Sequence, residues 1–243
     1  MDNHHTPLVA VVEAPRVDRV GHAVSALDEA LRSAPDVDLA WVGRPLAEDA
    51  WEAAPDLLRL LFALVGTLRP KHVLEFGSGL STVVLARAAS TVPGCVVTSI
   101  DHDPAFAAAT ATLLADQGGS VVALGCAPLV ARVRAGELQP CYLVDDELLG
   151  SRRVPDLIVV DGPPAVLGGR RGMLPLALEH AQSGSIVLFD DADREPEARA
   201  LAHWEDVLGD AVEVHRPQGF ARGLAAVILV APTVARIRMA PRS

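Results

Sequence analysis

The segment Glu75-Phe-Gly-Ser-Gly79 stands where a chain can hold a ligand. The apolar run from Val73 that leads into it reads as a buried strand, and Val83 to Ala89 beyond it reads as a helix. A strand, a glycine loop and a helix in succession are the layout of a nucleotide site. A pyrophosphate would call for bare backbone N–H groups and three glycines at the helix N-terminus. Here Glu75 brings a carboxylate instead, which disfavours an anionic ligand and favours a cationic one. Ser81 and Thr82 open the helix, where their hydroxyls can cap it or donate to a ligand carboxylate. Asp101 ends the next apolar run, in Ser99-Ile-Asp-His-Asp-Pro104. In a doubly wound fold that is the place of the acid that accepts hydrogen bonds from a ribose diol. Asp103, directly before Pro104, is the better helix cap.

Further acids end later apolar runs: Asp161 in Asp161-Gly-Pro-Pro164, then Asp190 and Asp191 in Asp190-Asp-Ala-Asp193. The carboxyl ends of adjacent parallel strands face one crevice, so these three side chains can converge. If no metal ion sits there, Asp161 is the first choice for a general base, ahead of His102 and His215. Arg170 and Arg171 lie in Gly168-Gly-Arg-Arg-Gly172, a loop that can clamp a substrate carboxylate or phosphate, or form a solvated turn. Cys126 reads as a small apolar wall residue rather than a nucleophile. His180 and His203 fall within helical segments, and neither they nor His4-His5 show metal-ligand spacing.

The elements that must position these residues alternate regularly. Leu57, Leu58, Leu60, Leu61, Leu64, Val65 and Leu68 make the apolar face of a helix that Arg69-Pro70 stops. Strand-like runs then follow at 73–76, 96–100, 121–124, 157–160 and 186–189, with helical segments at 83–89, 106–114, 173–181 and 197–208. Near-continuous Val, Ile and Leu predicts strands buried on both faces, hence a parallel sheet with helices on each side. The runs 211–215 and 224–230 have no helix between them and predict an antiparallel hairpin at one edge, its turn Pro217–Gly223 helping to shape a substrate pocket. The fold class is therefore α/β: a doubly wound, Rossmann-like, seven-stranded sheet with helices on both faces. Residues 1–55 are the hardest to read. A short strand at 8–12, a helix at 23–31 and an extended piece at 36–41 are expected there, as an N-terminal cap on the substrate side of a main domain spanning 56–243.

Composition narrows the function classes. The chain has 243 residues, a formal net charge of −10 and Lys71 as its one lysine, so no broad basic face for nucleic acid is expected. Three cysteines without CxxC spacing imply neither a metal knuckle nor a secreted disulfide framework. No signal peptide and no apolar run long enough for a membrane span are visible, so a cytoplasmic protein that partners neither nucleic acid nor membrane is expected. A homodimer is compatible with all of this.

Taken in order, Glu75-Phe-Gly-Ser-Gly79, Asp101-His-Asp-Pro104, Asp156-Leu-Ile-Val-Val-Asp161 and Gly184-Ser-Ile-Val-Leu-Phe-Asp190 resemble the successive motifs of class I S-adenosylmethionine-dependent methyltransferases, over roughly residues 55–231. The resemblance implies a cationic sulfonium cofactor, S-adenosyl-L-methionine, which also accounts for Glu75. It implies that Glu75, Gly77, Ser78, Gly79, Ser81 and Thr82 face the methionine moiety and that Asp101, with His102 beside it, holds the ribose. Cys126 and Ala127, in Gly125-Cys-Ala-Pro-Leu129, would flank the adenine, where backbone groups replace the family's usual acidic residue; Asp161 completes the cofactor set. The site layout is most similar to the catechol and caffeoyl-coenzyme A O-methyltransferases, which implies that Asp161, Asp190 and Asp191 hold Mg²⁺ or another divalent cation that lowers the pKa of a substrate hydroxyl. Asp191 stands where those enzymes usually carry Asn, and Gly-Pro-Pro after Asp161 departs from their pattern. The implied reaction is methylation of a small-molecule acceptor at a hydroxyl oxygen, in bacterial secondary metabolism or glycan tailoring. Transfer to nitrogen or carboxylate, or S-adenosylmethionine binding without catalysis, are the competing readings.

Overall fold

The computed structural model describes residues 18–42, 52–117, 121–134, 137–149 and 154–232. The expected strand at 8–12 lies outside these residues. The described chain begins with α1 (Arg19–Ser33), which Asp18 caps through its side chain. Two single 3₁₀ turns follow, at Ala34–Asp36 and Ala40–Val42, where an extended piece was expected. Pro35 fits the first turn, and Asp38 Oδ1 accepts from Ala40 N at 2.8 Å, so local side-chain bonding wins over extension.

Helix α2 (Pro55–Leu68) starts on its proline and ends at Arg69, which adopts φ 51° before Pro70. The alternation then runs β1 (His72–Phe76), α3 (Leu80–Ser90), β2 (Val96–Asp101), α4 (Pro104–Gln117) and β3 (Val122–Cys126). After a hairpin, β4 (Leu129–Arg134) and β5 (Glu137–Tyr142), come the short α5 (Asp146–Leu149), β6 (Leu157–Val160), α6 (Met173–Glu179) and β7 (Ile186–Asp190). The chain closes with α7 (Glu195–Leu208), β8 (Val212–His215) and β9 (Leu224–Leu229). The seven-stranded sheet has the order β3-β2-β1-β6-β7-β9-β8, parallel except where β9 pairs with β7 and β8.

Strands β1, β6, β7 and β9 are buried along their whole length, and successive side chains enter opposite cores. Val73, Leu157, Val159 and Ile186 face α1, α2 and α3. Leu74, Phe76, Ile158, Val160 and Phe189 face α6, α7 and the β4–β5 hairpin. Helix α1 belongs to the first core through Ala23, Ala26, Leu27 and Ala30, and Thr67 Oγ1 of α2 donates to Ala26 O at 3.0 Å.

The β4–β5 hairpin is absent from the sequence-based reading. It docks on α6 by the ion pair of Arg134 Nη2 with Glu179 at 2.8 Å, and its Pro140 lies against Gly168 and Gly172. A Cβ on Gly172 would press into the Pro140 carbonyl. Gly172→Ala is therefore expected to lower stability by about 1–3 kcal/mol, a purely steric loss since φ is −85° there. Thermal or urea unfolding checks it.

Candidate active site

The sheet reverses its winding between β1 and β6, and there the carboxyl ends of the strands open a crevice. Register sets the depth of each acid: Glu75 lies beside Ser99 on one side and Val159 on the other, one residue short of the strand end. Glu75 is consequently fully buried. Its Oε2 accepts from Thr82 Oγ1 and Ser99 Oγ, both at 2.6 Å, and Thr82 Oγ1 accepts from Gly79 N at 2.9 Å. Glu75 and Thr82 therefore tie the glycine loop to the sheet from behind. Of the residues expected to meet the ligand, Glu75 does not line the cavity, and the side chains of Ser81 and Thr82 are buried.

At the tip of the loop Gly77 takes φ 95°, and a Cβ there would lie 2.9 Å from the backbone of Asp161 and Gly162. The β1 and β6 loops meet at this point, which only glycine permits. Asp101 stands next to it. Its Oδ2 accepts from Ser78 N at 2.7 Å and from Ser78 Oγ at 3.2 Å, and its Oδ1 accepts from Asp103 N at 2.9 Å. Asp103 caps α4 by accepting from Ala105 N at 2.8 Å, as expected, which leaves Asp101 for the cavity. The Ala127 N–H donates to Asp101 O at 2.8 Å, and its side chain is buried. Cys126 is exposed, with Sγ 3.8 Å from His102 O, and lies outside the cavity wall.

Gly77, Ser78, Asp101, His102, Asp161, Arg170 and Asp191 line one cavity of about 440 Å³. Sequence reasoning missed several of its residues. Tyr142, the one tyrosine of the chain, is buried at the end of β5, and its hydroxyl, facing Gly162 and Gly77, has no hydrogen-bond partner among the described residues. Burial, then Asp101 and Asp161, push this phenol well above its usual pKa, so it stays a neutral donor. Arg194 and Arg222 supply positive charge, and Phe106 and Val166 form an exposed apolar rim. Arg194 follows the Asp190-Asp191 pair closely enough to have been noticed, and Arg222 lies in the turn expected to shape the pocket. No local signal marks Tyr142, which depends on the unread hairpin.

The three acids do converge, with carboxylate oxygens of Asp161, Asp190 and Asp191 within 4.8 Å of one another. Consecutive glycines at φ 101° and 69°, Gly168 and Gly169, turn the loop so that Arg170 points into this cluster and Arg171 points away, into a different cavity beside Arg199 and His203. The two arginines therefore do not act as a pair. Arg170 Nη2 donates to Asp161 Oδ1 and to Asp161 O, both at 2.8 Å, while Nη1 reaches Asp191 closely and Asp190 at 3.6 Å. Asp191, held at φ 58°, also pairs with Arg194 at 2.8 Å. Burial raises the pKa of Asp161 well above the carboxylate range, with Asp190 adding and Arg170 opposing; Asp190 is raised as well, chiefly by burial. A divalent cation does not fit this arrangement alongside Arg170. At 4 Å a guanidinium would repel each added unit of positive charge by about 4 kcal/mol at a dielectric of about 20.

A doubly wound sheet ending in an antiparallel pair, a glycine loop after its first parallel strand and an acid after the second are the layout of the class I methyltransferase fold. Residues 74–192, a little under half of the chain, match the family model described as a methyltransferase domain. Solved structures agree on the fold. The O-methyltransferase TomG from Streptomyces achromogenes, in complex with SAM, shares 18% identity over 85% of this chain and 90% of its own, with a TM-score of 0.55. An O-methyltransferase from Bacillus cereus in complex with SAH shares 16% identity over 84% and 90%, at 0.57. Cofactor-bound Rv0187 from MTB shares 19% over 91% and 93%, at 0.56. No curated protein sequence matches the chain. Among the described residues no helix is long and apolar enough to cross a membrane.

Burial raises the pKa of Glu75 from 4.5 to about 7, against the lowering effect of its hydroxyl donors. For an acid raised in the fold, the stabilising contribution is full below the unfolded value and is lost as pH rises through the folded one. Between about pH 5 and about pH 9 the wild type should therefore lose up to about 3 kcal/mol relative to Glu75→Gln, which cannot ionise. Urea unfolding of both proteins across that range tests this, and a pH-independent difference would contradict it.

Proposed function

We propose that this protein moves a methyl group from S-adenosylmethionine to a hydroxyl oxygen of a small molecule, as a cytoplasmic tailoring enzyme of secondary metabolism or of glycans. The observation that carries the reading is the single cavity joining Asp101 at the end of β2 to Asp161 at the end of β6. The cofactor fits the first half of that cavity. Asp101 offers a carboxylate to a ribose diol, Gly77 leaves the backbone bare, and the unpartnered Tyr142 hydroxyl supplies a donor at the junction. When bound, S-adenosylmethionine supplies an electrophilic methyl group on a positively charged sulfur.

The chain's own part is positioning and proton transfer. In its ionised form Asp161, on the cavity wall beside Gly77, receives the proton of the acceptor hydroxyl as the new carbon–oxygen bond forms and the carbon–sulfur bond breaks. Phe106, Val166 and Leu167 offer apolar surface at the rim for the body of the acceptor. TomG, one of the structurally similar proteins, is described as involved in tomaymycin synthesis, which favours a secondary metabolite as acceptor.

Calorimetry with S-adenosylmethionine and with its demethylated product tests the donor half. Both should bind, and Asp101→Ala should weaken them by about 1.5–3 kcal/mol, roughly 10- to 100-fold, the worth of hydrogen bonds to a charged group. Absence of binding by the wild type would overturn the reading.

A further inference from the structure

We propose that the Arg170 guanidinium is the resident cation of the Asp161–Asp190–Asp191 cluster, and that this active site works without a divalent metal ion. The proposal deepens the methyl-transfer reading and rests on it for its meaning, while resting on separate geometry. Three carboxylates within 4.8 Å of one another need positive charge among them, and the chain provides it covalently. Arg170 is 5% exposed and reaches all three: Asp161 at 2.8 Å, Asp190 at 3.6 Å, and Asp191 in close contact. Arg194 supplies a second guanidinium to Asp191 at 2.8 Å, so the Oδ2 lone pairs that a metal would take are already shared between two arginines. A planar fork suits this task better than a lysine, since separate N–H groups address separate carboxylates.

The loop is built for it. Gly168 and Gly169 adopt left-handed backbone, and a Cβ on Gly169 would collide with the Glu197 carboxylate, whose Oε1 accepts from Arg170 N at 3.4 Å. Position 170 is thus held from its own backbone as well as from its side chain. Asp191 adds a third carboxylate to the cluster, and the guanidinium pair of Arg170 and Arg194 meets it. Arg170 also lines the cavity, next to Asp161, so it is placed to steady negative charge developing on an acceptor oxygen in the way a metal ion would. It acts directly at the site, and the acceptor needs no pair of adjacent oxygens to chelate an ion.

The test is a titration of Mn²⁺ into the full chain, read by the loss of the free-ion electron paramagnetic resonance signal, with neither donor nor acceptor present. Failure here is therefore distinguishable from failure of the methyl-transfer reading, which calorimetry with the donor decides. Wild type and Asp190→Asn should both leave the Mn²⁺ signal unchanged. Arg170→Gln, which removes the guanidinium shared by the three carboxylates, should bind one ion at least about tenfold more tightly than wild type, and the added Asp190→Asn change should abolish that gain. Stoichiometric Mn²⁺ binding by wild type that Asp190→Asn removes would overturn the proposal, whether or not Arg170→Gln folds. So would a folded Arg170→Gln protein, by circular dichroism, that gains no binding.

Discussion

A buried guanidinium among three carboxylates organises the functional end of this molecule. Asp161, Asp190 and Asp191 come from the ends of two adjacent parallel strands, and parallel pairing forces those ends to the same edge. Like charges brought so close and out of water are unfavourable unless a cation joins them, and a buried pair broken by loss of one partner costs about 3–5 kcal/mol. Arg170 meets that need, and in doing so it pins the loop after β6, including the glycines and the backbone of Asp161 that it also bonds. The position of the loop, of Asp161 and of the cavity wall all follow from this one arrangement.

The other half of the cavity is built on a different principle. Glu75 is buried, with hydroxyls rather than a cation on its Oε2 and no partner for its Oε1 among the described residues, so its raised pKa marks burial that hydrogen bonds only partly offset. Its work is to hold Thr82, and through Thr82 the N–H of Gly79, so that the loop after β1 keeps one shape. The two halves touch at Gly77 and the Asp161–Gly162 backbone, where a missing Cβ lets two loops come into contact. A small cavity with an acid at each end is the outcome. In the proposed reaction one acid orients the cofactor and the other receives the acceptor's proton.

Much of this was legible along the chain. The sheet strands β1, β2, β6, β7 and β9 are short runs of Val, Ile, Leu and Phe whose burial on both faces leaves few alternatives, and helices at the expected places alternate with them. Asp101 was readable because its position at a strand end is a local fact. The β4–β5 hairpin was not, since Leu129–Arg134 and Glu137–Tyr142 are interrupted by arginines, Gln139 and Pro140 and have one poorly buried side. Losing that hairpin meant losing Tyr142. The short 3₁₀ turns near Pro35 and Ala40 were likewise missed, because single turns carry no periodicity.

The sequence by itself determined the class of fold, the order of its strands' chemistry and the acids at their ends, because hydrophobic period and glycine placement are written residue by residue. It did not determine what those acids face. Glu75 looked exposed to a ligand and is fully buried behind the glycine loop; Arg170 and Arg171 looked like a pair and point into different cavities. Both outcomes are decided by strand register and by the turn at Gly168–Gly169, which bring together residues far apart in the chain. Whether a carboxylate meets a cofactor, a metal ion or an arginine depends on that assembly, since charge interactions are set by distance and burial in three dimensions.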